Sequence, residues 1–349
     1  MSHHENKPLR IINSIAPIRI ADNGGWTDTW FAKHGKIFNI AVSPYAEVQI
    51  EVYSNDSGHA PVEVFAENYG DRFTVAPGTA RSDRHALLGA AIESMKIPGD
   101  HAIHVTIYSD APAGASTGTS AAITVALIGA LDRLRSGKMT SHEIAYAAHH
   151  VEMNMLGLQC GIQDQICSAY GGINYIEMTE FPSASVSQIQ ASDAVWWELE
   201  HRLVLVYLGK SHSSSDLHRK VVKELEDAGP ECAKIEALRH TAERSRDAIC
   251  SGDFEAFGRA MIENTEAQAR LHPELVGVDA RTVISIAKEH CAVGWKVNGA
   301  GGDGGSLTIL CDSRSHVKRN MVKEIEQANP LYKNIPISLS RFGVRTWET

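Results

Sequence analysis

Apolar and polar positions alternate through the first part of the chain and then give way to helical spacing. Residues 9–21 alternate, and residues 37–53 form a longer, β-favouring run, so both predict strands. Residues 62–65 and 102–108 predict two more. Leu87, Leu88 and Ala91 recur at helical spacing, which predicts a helix over residues 83–95 that stops before Pro98 and Gly99. Residues 120–134, rich in Ala, Leu and Ile, predict a second helix. Residues 141–155 predict a third, opened by Ser141 with an acidic residue behind it in a capping arrangement. After a double glycine, residues 171–178 return to strand. Residues 179–194 are polar and irregular and mark a lobe boundary. Beyond lie a strand at 202–208, helix-patterned segments near 215–227, 231–250, 253–270 and 278–290, and short strands at 294–297 and 306–311 around a glycine-rich break. A last strand is expected over 335–344. The pattern is α+β. At 349 residues the chain exceeds one comfortable core, so two lobes are expected, 1–190 and 191–349.

Composition narrows the partners. The formal charge of −9 argues against nucleic acid or an anionic membrane as the main partner. No apolar run approaches the roughly 20 residues that span a bilayer, and residues 1–8 lack an apolar signal core. The six cysteines are dispersed without a CxxC pair and read as reduced, mostly buried thiols of a cytoplasmic protein. A homodimer is possible; nothing in the sequence decides it.

The segment Asp110-Ala-Pro-Ala-Gly-Ala-Ser-Thr-Gly-Thr-Ser-Ala-Ala122 follows a predicted strand and enters an apolar helix. Its small residues and glycines allow close backbone approach to a ligand, and the free N–H groups of a helix start favour an anion. Thr119 and Ser120 add hydroxyls. No Gly-Lys-Ser/Thr ends it, so it is not a P-loop, and GxGxxG spacing is absent. On composition alone, a phosphate cradle and a small-residue packing turn are both open.

This loop, read from Pro112 to Ala122, resembles the PxxxGLGSSAA motif of the GHMP kinase superfamily. Ser116, Thr117 and Thr119 depart from the pattern, whereas Gly118, Ser120, Ala121 and Ala122 match it. Two further motifs stand in the superfamily's order. Ala16-Pro-Ile-Arg-Ile-Ala-Asp-Asn-Gly-Gly-Trp-Thr-Asp28 resembles its N-terminal substrate-side segment, and Val297-Asn-Gly-Ala-Gly-Gly-Asp-Gly-Gly-Ser306 resembles its C-terminal glycine loop. The resemblance implies a ribosomal-protein-S5-like N-terminal lobe, a ferredoxin-like C-terminal lobe, and a cleft between them that binds ATP and Mg²⁺.

It also implies roles. Pro112, Gly114, Ser116, Gly118, Thr119, Ser120 and Ala121 would hold the nucleotide, Ser120 and Glu152 the metal. Asp164 would be the base, supported by Arg19. Asp28, Trp26, Gly25, Gly171, Lys210 and His212 would face the acceptor, a sugar or sugar phosphate, with Arg219 adding positive charge. Residues 208–216 and the Asp164-Gln165 and Tyr170-Gly-Gly-Ile-Asn174 segments resemble the D-glycero-D-manno-heptose 7-phosphate kinase branch. Gly24-Gly-Trp-Thr-Asp-Thr29 looks like L-fucokinase. Both branches act on the anomeric hydroxyl. A catalytically silent sensor of the same fold and a mevalonate-diphosphate-type decarboxylase are the competing readings. Retention of Glu152, Ser120 and Asp164 disfavours the first, and the sugar-like N-terminal segment disfavours the second. Asp303, a carboxylate inside a glycine loop expected near phosphates, has no assigned role.

Overall fold

The computed structural model describes residues 7–55, 58–75, 85–135, 138–210 and 215–349, with no side chains for 215–217. Strand β1 (Arg10–Asn23) and the long β2 (Gly35–Ser54) form an antiparallel pair. They are followed by β3 (Val62–Ala66), β4 (Asp71–Thr74), α1 (Ala86–Met95), β5 (His101–Ser109), α2 (Thr119–Asp132), α3 (Ser141–His150), α4 (Gln163–Tyr170), β6 (Ile173–Glu180) and β7 (Ser183–Gln188). Next come α5 (Asp193–Arg202), β8 (Leu203–Tyr207), α6 (Ser215–Ala228), α7 (Ala233–Ser251), α8 (Phe254–Leu271), α9 (Val278–Glu289), β9 (Gly294–Val297), β10 (Ser306–Leu310), α10 (Ser315–Ala328), β11 (Lys333–Ile335) and β12 (Arg345–Glu348).

The first sheet runs β12-β1-β2-β5-β3-β4, with β6 and β7 added along the other half of β2. The second sheet is β11-β8-β10-β9. Burial along β1 alternates at its start and becomes continuous from Ala16 onward. A strand alternates where one face is covered and loses alternation where both are. The doubly covered end is where Arg19 sits. Helix α2 is buried along nearly its whole length, as an apolar helix without a polar face must be. Helices α7 and α8 pack against the first sheet, where Phe38 of β2 meets Phe257 of α8 at 5.4 Å. One apolar core therefore runs from β1 and β2 into Leu203 and Leu310 of the second sheet. Val204, Val206, Val283, Leu307 and Ile325 form a separate core between the second sheet and α9–α10.

Several expectations need correction. The third helix is capped by Thr140, not Ser141. Thr140 Oγ accepts the Glu143 N–H and Glu143 returns the bond to Thr140, and the helix gives way to a π-helical turn at Val151–Met155. The polar stretch 179–194 is no linker: it contributes edge strand β7 and the start of α5. Residues 336–344 are not a strand but a bridge between β11 and β12, and β12 returns to the first sheet beside β1. We propose the lobe division near residue 190 with that amendment. All six cysteines are free, but only Cys167 and Cys311 are buried. Among the described residues no helix is long and apolar enough to cross a membrane.

Candidate active site

The site begins with the way α2 starts. Gly118 is its N-cap in the left-handed region (φ +71°), and no side chain caps the first turn. The opening N–H groups are thus left for a ligand. Ala113 to Ser120 line a cavity of about 1050 Å³, which is large for a single small metabolite. Its apolar lining includes Ala66, Tyr69, Leu87, Leu88, Ile107 and Ile123. The wall also carries Arg19, Glu152, Asp164, His218, Arg219, Gly299 and Ala300.

Arg19 is buried and donates through Nε to Asp164 Oδ1 at 2.8 Å and through Nη2 to Oδ2 at 3.3 Å. Its Nη1 reaches the Ser116 carbonyl, and its backbone N–H bonds the Thr117 carbonyl at 2.9 Å. The neighbouring carboxylates Asp164 and Asp22 outweigh burial and raise the guanidinium's affinity for its proton. Asp164 lies in the first turn of α4 and lines the cavity, and a Cβ on Gly118 would come within 3.2 Å of its carboxyl group. Glycine there lets the backbone at the start of α2 lie close to the carboxylate. A carboxylate fixed by arginine beside a helix N-terminus can accept a hydroxyl proton where anionic groups gather.

Glu152 is buried in the π-helical turn and accepts a 2.9 Å hydrogen bond from Gln165 Nε2. Burial pushes its carboxyl up to about 7, against the Gln165 bond and helped by the Asp164 charge. Ser120 shares the cavity wall with it. Among the described residues no three His, Cys, Asp or Glu side chains gather for a metal. That donor set fits Mg²⁺, which keeps waters and binds through one or two protein oxygens plus phosphate. A buried carboxylate with raised proton affinity is relieved by a cation.

Other expected site residues sit elsewhere. Pro112 closes the turn through its carbonyl to Ala115 N–H, and Ala121 is buried in the core; neither lines the cavity. Trp26 is buried, with φ +77°, and stacks on His218 at 4.9 Å; the face expected for a sugar is taken by an imidazole. Asp28 is buried behind the wall, where Oδ2 accepts the Gln163 N–H at 3.0 Å and so binds the start of α4. Burial raises its carboxyl to about 6. Gly25 packs on Asp22 and Gln163. Gly171 lies against the backbone of Phe342 and Gly343. Lys210 is exposed and paired with Asp279 at 2.9 Å. His212 lies outside the described residues. Asp303 is not on the cavity wall; its carboxylate lies against Gly277. Of the glycine run, Gly299 reaches the cavity and rests on Ser116 and Arg19.

Three residues of this constellation escape sequence reasoning: Asp22, Lys296 and His218. Only Asp22 left a signal, standing three positions after Arg19 in the N-terminal motif.

The family pattern of the GHMP kinases N terminal domain matches residues 86–172. A mevalonate kinase of Thermococcus sibiricus is 30% identical over 255 residues, 70% of this chain and 68% of that protein. A D-glycero-alpha-D-manno-heptose 7-phosphate kinase of Campylobacter jejuni is 22% identical and covers 97% of this chain and 99% of its own. The crystal structure of a D-glycero-D-manno-heptose 1-phosphate kinase from Bacteriodes thetaiotaomicron superposes with a TM-score of 0.75 at 21% identity, covering 96% of this chain and 98% of that one.

Proposed function

The chain belongs to the GHMP kinase family, and on that footing we propose that it transfers the γ-phosphoryl group of ATP to the anomeric hydroxyl of a heptose 7-phosphate or a related sugar. As a member it is a phosphotransferase that uses ATP and an alcohol acceptor. The sugar is supported by a heptose 7-phosphate kinase that aligns over nearly the whole chain. The observation that carries the reading is the contact of Asp164, gripped by Arg19 at 2.8 Å, with Gly118 at the uncapped start of α2.

In this mechanism the N–H groups at the start of α2 cradle the phosphates. Asp164 takes the proton of the acceptor hydroxyl as its oxygen attacks the γ-phosphorus and the bond to the β-phosphate oxygen breaks, releasing ADP. Arg19 orients Asp164 and lends positive charge to the transferring group. Glu152 and Ser120 would hold Mg²⁺, which when bound neutralises phosphate charge. On the acceptor side, Arg219 keeps the role the sequence suggested, whereas Lys210 is paired with Asp279 and Trp26 is covered by His218. Arg219 supplies the local positive charge that a sugar phosphate needs in a protein of net charge −9. An L-fucose-type 1-kinase is the second reading, favoured by Gly24-Gly-Trp-Thr-Asp-Thr29.

The test is ATP turnover with D-glycero-D-manno-heptose 7-phosphate, L-fucose, D-mannose and D-galactose, with product regiochemistry read by NMR. Phosphorylation at carbon 1 of the heptose is expected. Asp164→Asn should abolish transfer while ATP still binds by calorimetry. Native protein that binds ATP and phosphorylates none of the four would favour a silent sensor.

A further inference from the structure

A second carboxylate stands behind the reacting one. Asp22 is fully buried at the end of β1, just past Ala21, which holds φ +52° where the β1–β2 register shifts. Its Oδ1 lies 3.3 Å from the ammonium of Lys296 on β9, itself 1% exposed, and 3.8 Å from Arg19 Nη1. Both oxygens also accept the Gly299 N–H, at 3.2 and 3.0 Å. Lys296 donates further to Gln268 Oε1 at 3.3 Å and to the Val297 carbonyl. Of the two cations and two carboxylates, only Asp164 has appreciable side-chain exposure, 28% against 4% or less.

We propose that Asp22 and Lys296 are a positioning pair that holds Arg19 against the phosphate loop and Asp164. The contacts close a ring. Asp22 fixes Gly299, and Gly299 lies on Ser116 so closely that a Cβ would come within 3.1 Å of the serine Cβ. The Ser116 carbonyl receives Arg19 Nη1, and Arg19 returns to Asp22. Beside the ring, the Asp22–Lys296 ion pair joins a residue of the first sheet to one of the second. Among the described residues Arg19 has two carboxylate partners, Asp164 at Nε and Nη2 and Asp22 at Nη1. Lys296 supplies the cation that makes a buried Asp22 tolerable.

An ion pair serving stability alone has the same geometry, so the test separates the two. Asp22→Asn/Lys296→Met removes one charge of each sign and keeps the local balance. The inference rests on the proposed transfer at Asp164, so one measurement follows turnover and one does not. With whichever of the four acceptors native protein phosphorylates, the double variant should lose about tenfold or more in kcat with KM for ATP within about twofold. Independently, the Arg19 Nε–H resonance, identified by its loss in Arg19→Lys, should exchange with solvent at least about tenfold faster in the double variant. Native kcat together with native exchange would overturn the proposal. If the double variant does not fold, the near-isosteric Asp22→Asn replaces it with the same expected changes. If native protein phosphorylates no acceptor, the proposed function fails and the exchange rate alone decides the positioning role.

Discussion

Replacing Asp28 with asparagine probes what the fold spends to keep a carboxyl group behind the cavity. Asp28 is fully buried, and burial, aided by Asp164 and Asp22, raises it from 3.8 to about 6 although the Gln163 N–H opposes the shift. At about 1.4 kcal/mol for each tenfold change in proton affinity, that is a cost of about 3 kcal/mol when the group is ionised. The sign follows from proton counting. Below 3.8 both folded and unfolded chains hold the proton and nothing is lost. Between 3.8 and about 6 the unfolded chain releases it first, so native stability falls as pH rises. Above about 6 both are ionised and the full cost is present. Asparagine keeps an oxygen for the Gln163 N–H, and the rise to about 6 is already net of that bond. Asp28→Asn should therefore be close to native protein in stability near pH 4, where the folded carboxyl is itself neutral, and about 3 kcal/mol more stable at pH 7.5. Urea denaturation at pH 4, 5.5 and 7.5 reads this as a difference in midpoint that grows with pH at unchanged m. A difference independent of pH, or one favouring native protein at pH 7.5, would refute the reasoning.

Glu152, raised to about 7, must ionise to hold Mg²⁺, so magnesium affinity in ATP turnover should weaken about tenfold per pH unit below about 7 and level off above it. Magnesium titrations from pH 5.5 to 8.5 should show Glu152→Gln with weaker affinity and a flat profile; an unchanged profile contradicts the assignment. Gly299→Ala forces a Cβ within 3.1 Å of Ser116 and 3.3 Å of Arg19 Nη2 at φ +62°. It should cost about 1–2 kcal/mol in urea denaturation and raise KM for ATP. Adding Ser116→Gly should recover part of both losses, because it removes the Ser116 Cβ and a left-handed non-glycine residue at φ +56°; strict additivity of the two changes would deny the contact.

What the sequence disclosed and what it hid follow one physical division. Backbone-level demands write themselves locally: Gly118 and Gly299 must be small because ligand-loop, carboxylate and arginine leave no room for a side chain, and small residues in a row are visible in one dimension. The alternation of β1 and the apolar α2 were visible for the same reason, since burial against a layer repeats along the chain. Side-chain partnerships carry no such local mark. Lys296 in Gly-Trp-Lys-Val reads as the polar half of an ordinary strand, and its partner Asp22 comes from the far end of the chain. Lys210 looked available until Asp279, 69 residues on, neutralised it, and Trp26 looked like a sugar platform until α6 laid His218 across it. The stretch 179–194 misled in the opposite direction. Its β7 is an edge strand, four of whose six residues face solvent, so serine serves where a central strand would need valine. Resemblance could name the residues proposed to hold the phosphates because they form one contiguous run of small residues at the start of α2. The charges that hold Arg19 in register exist only once two sheets have met, which is why they had to be read from the packing.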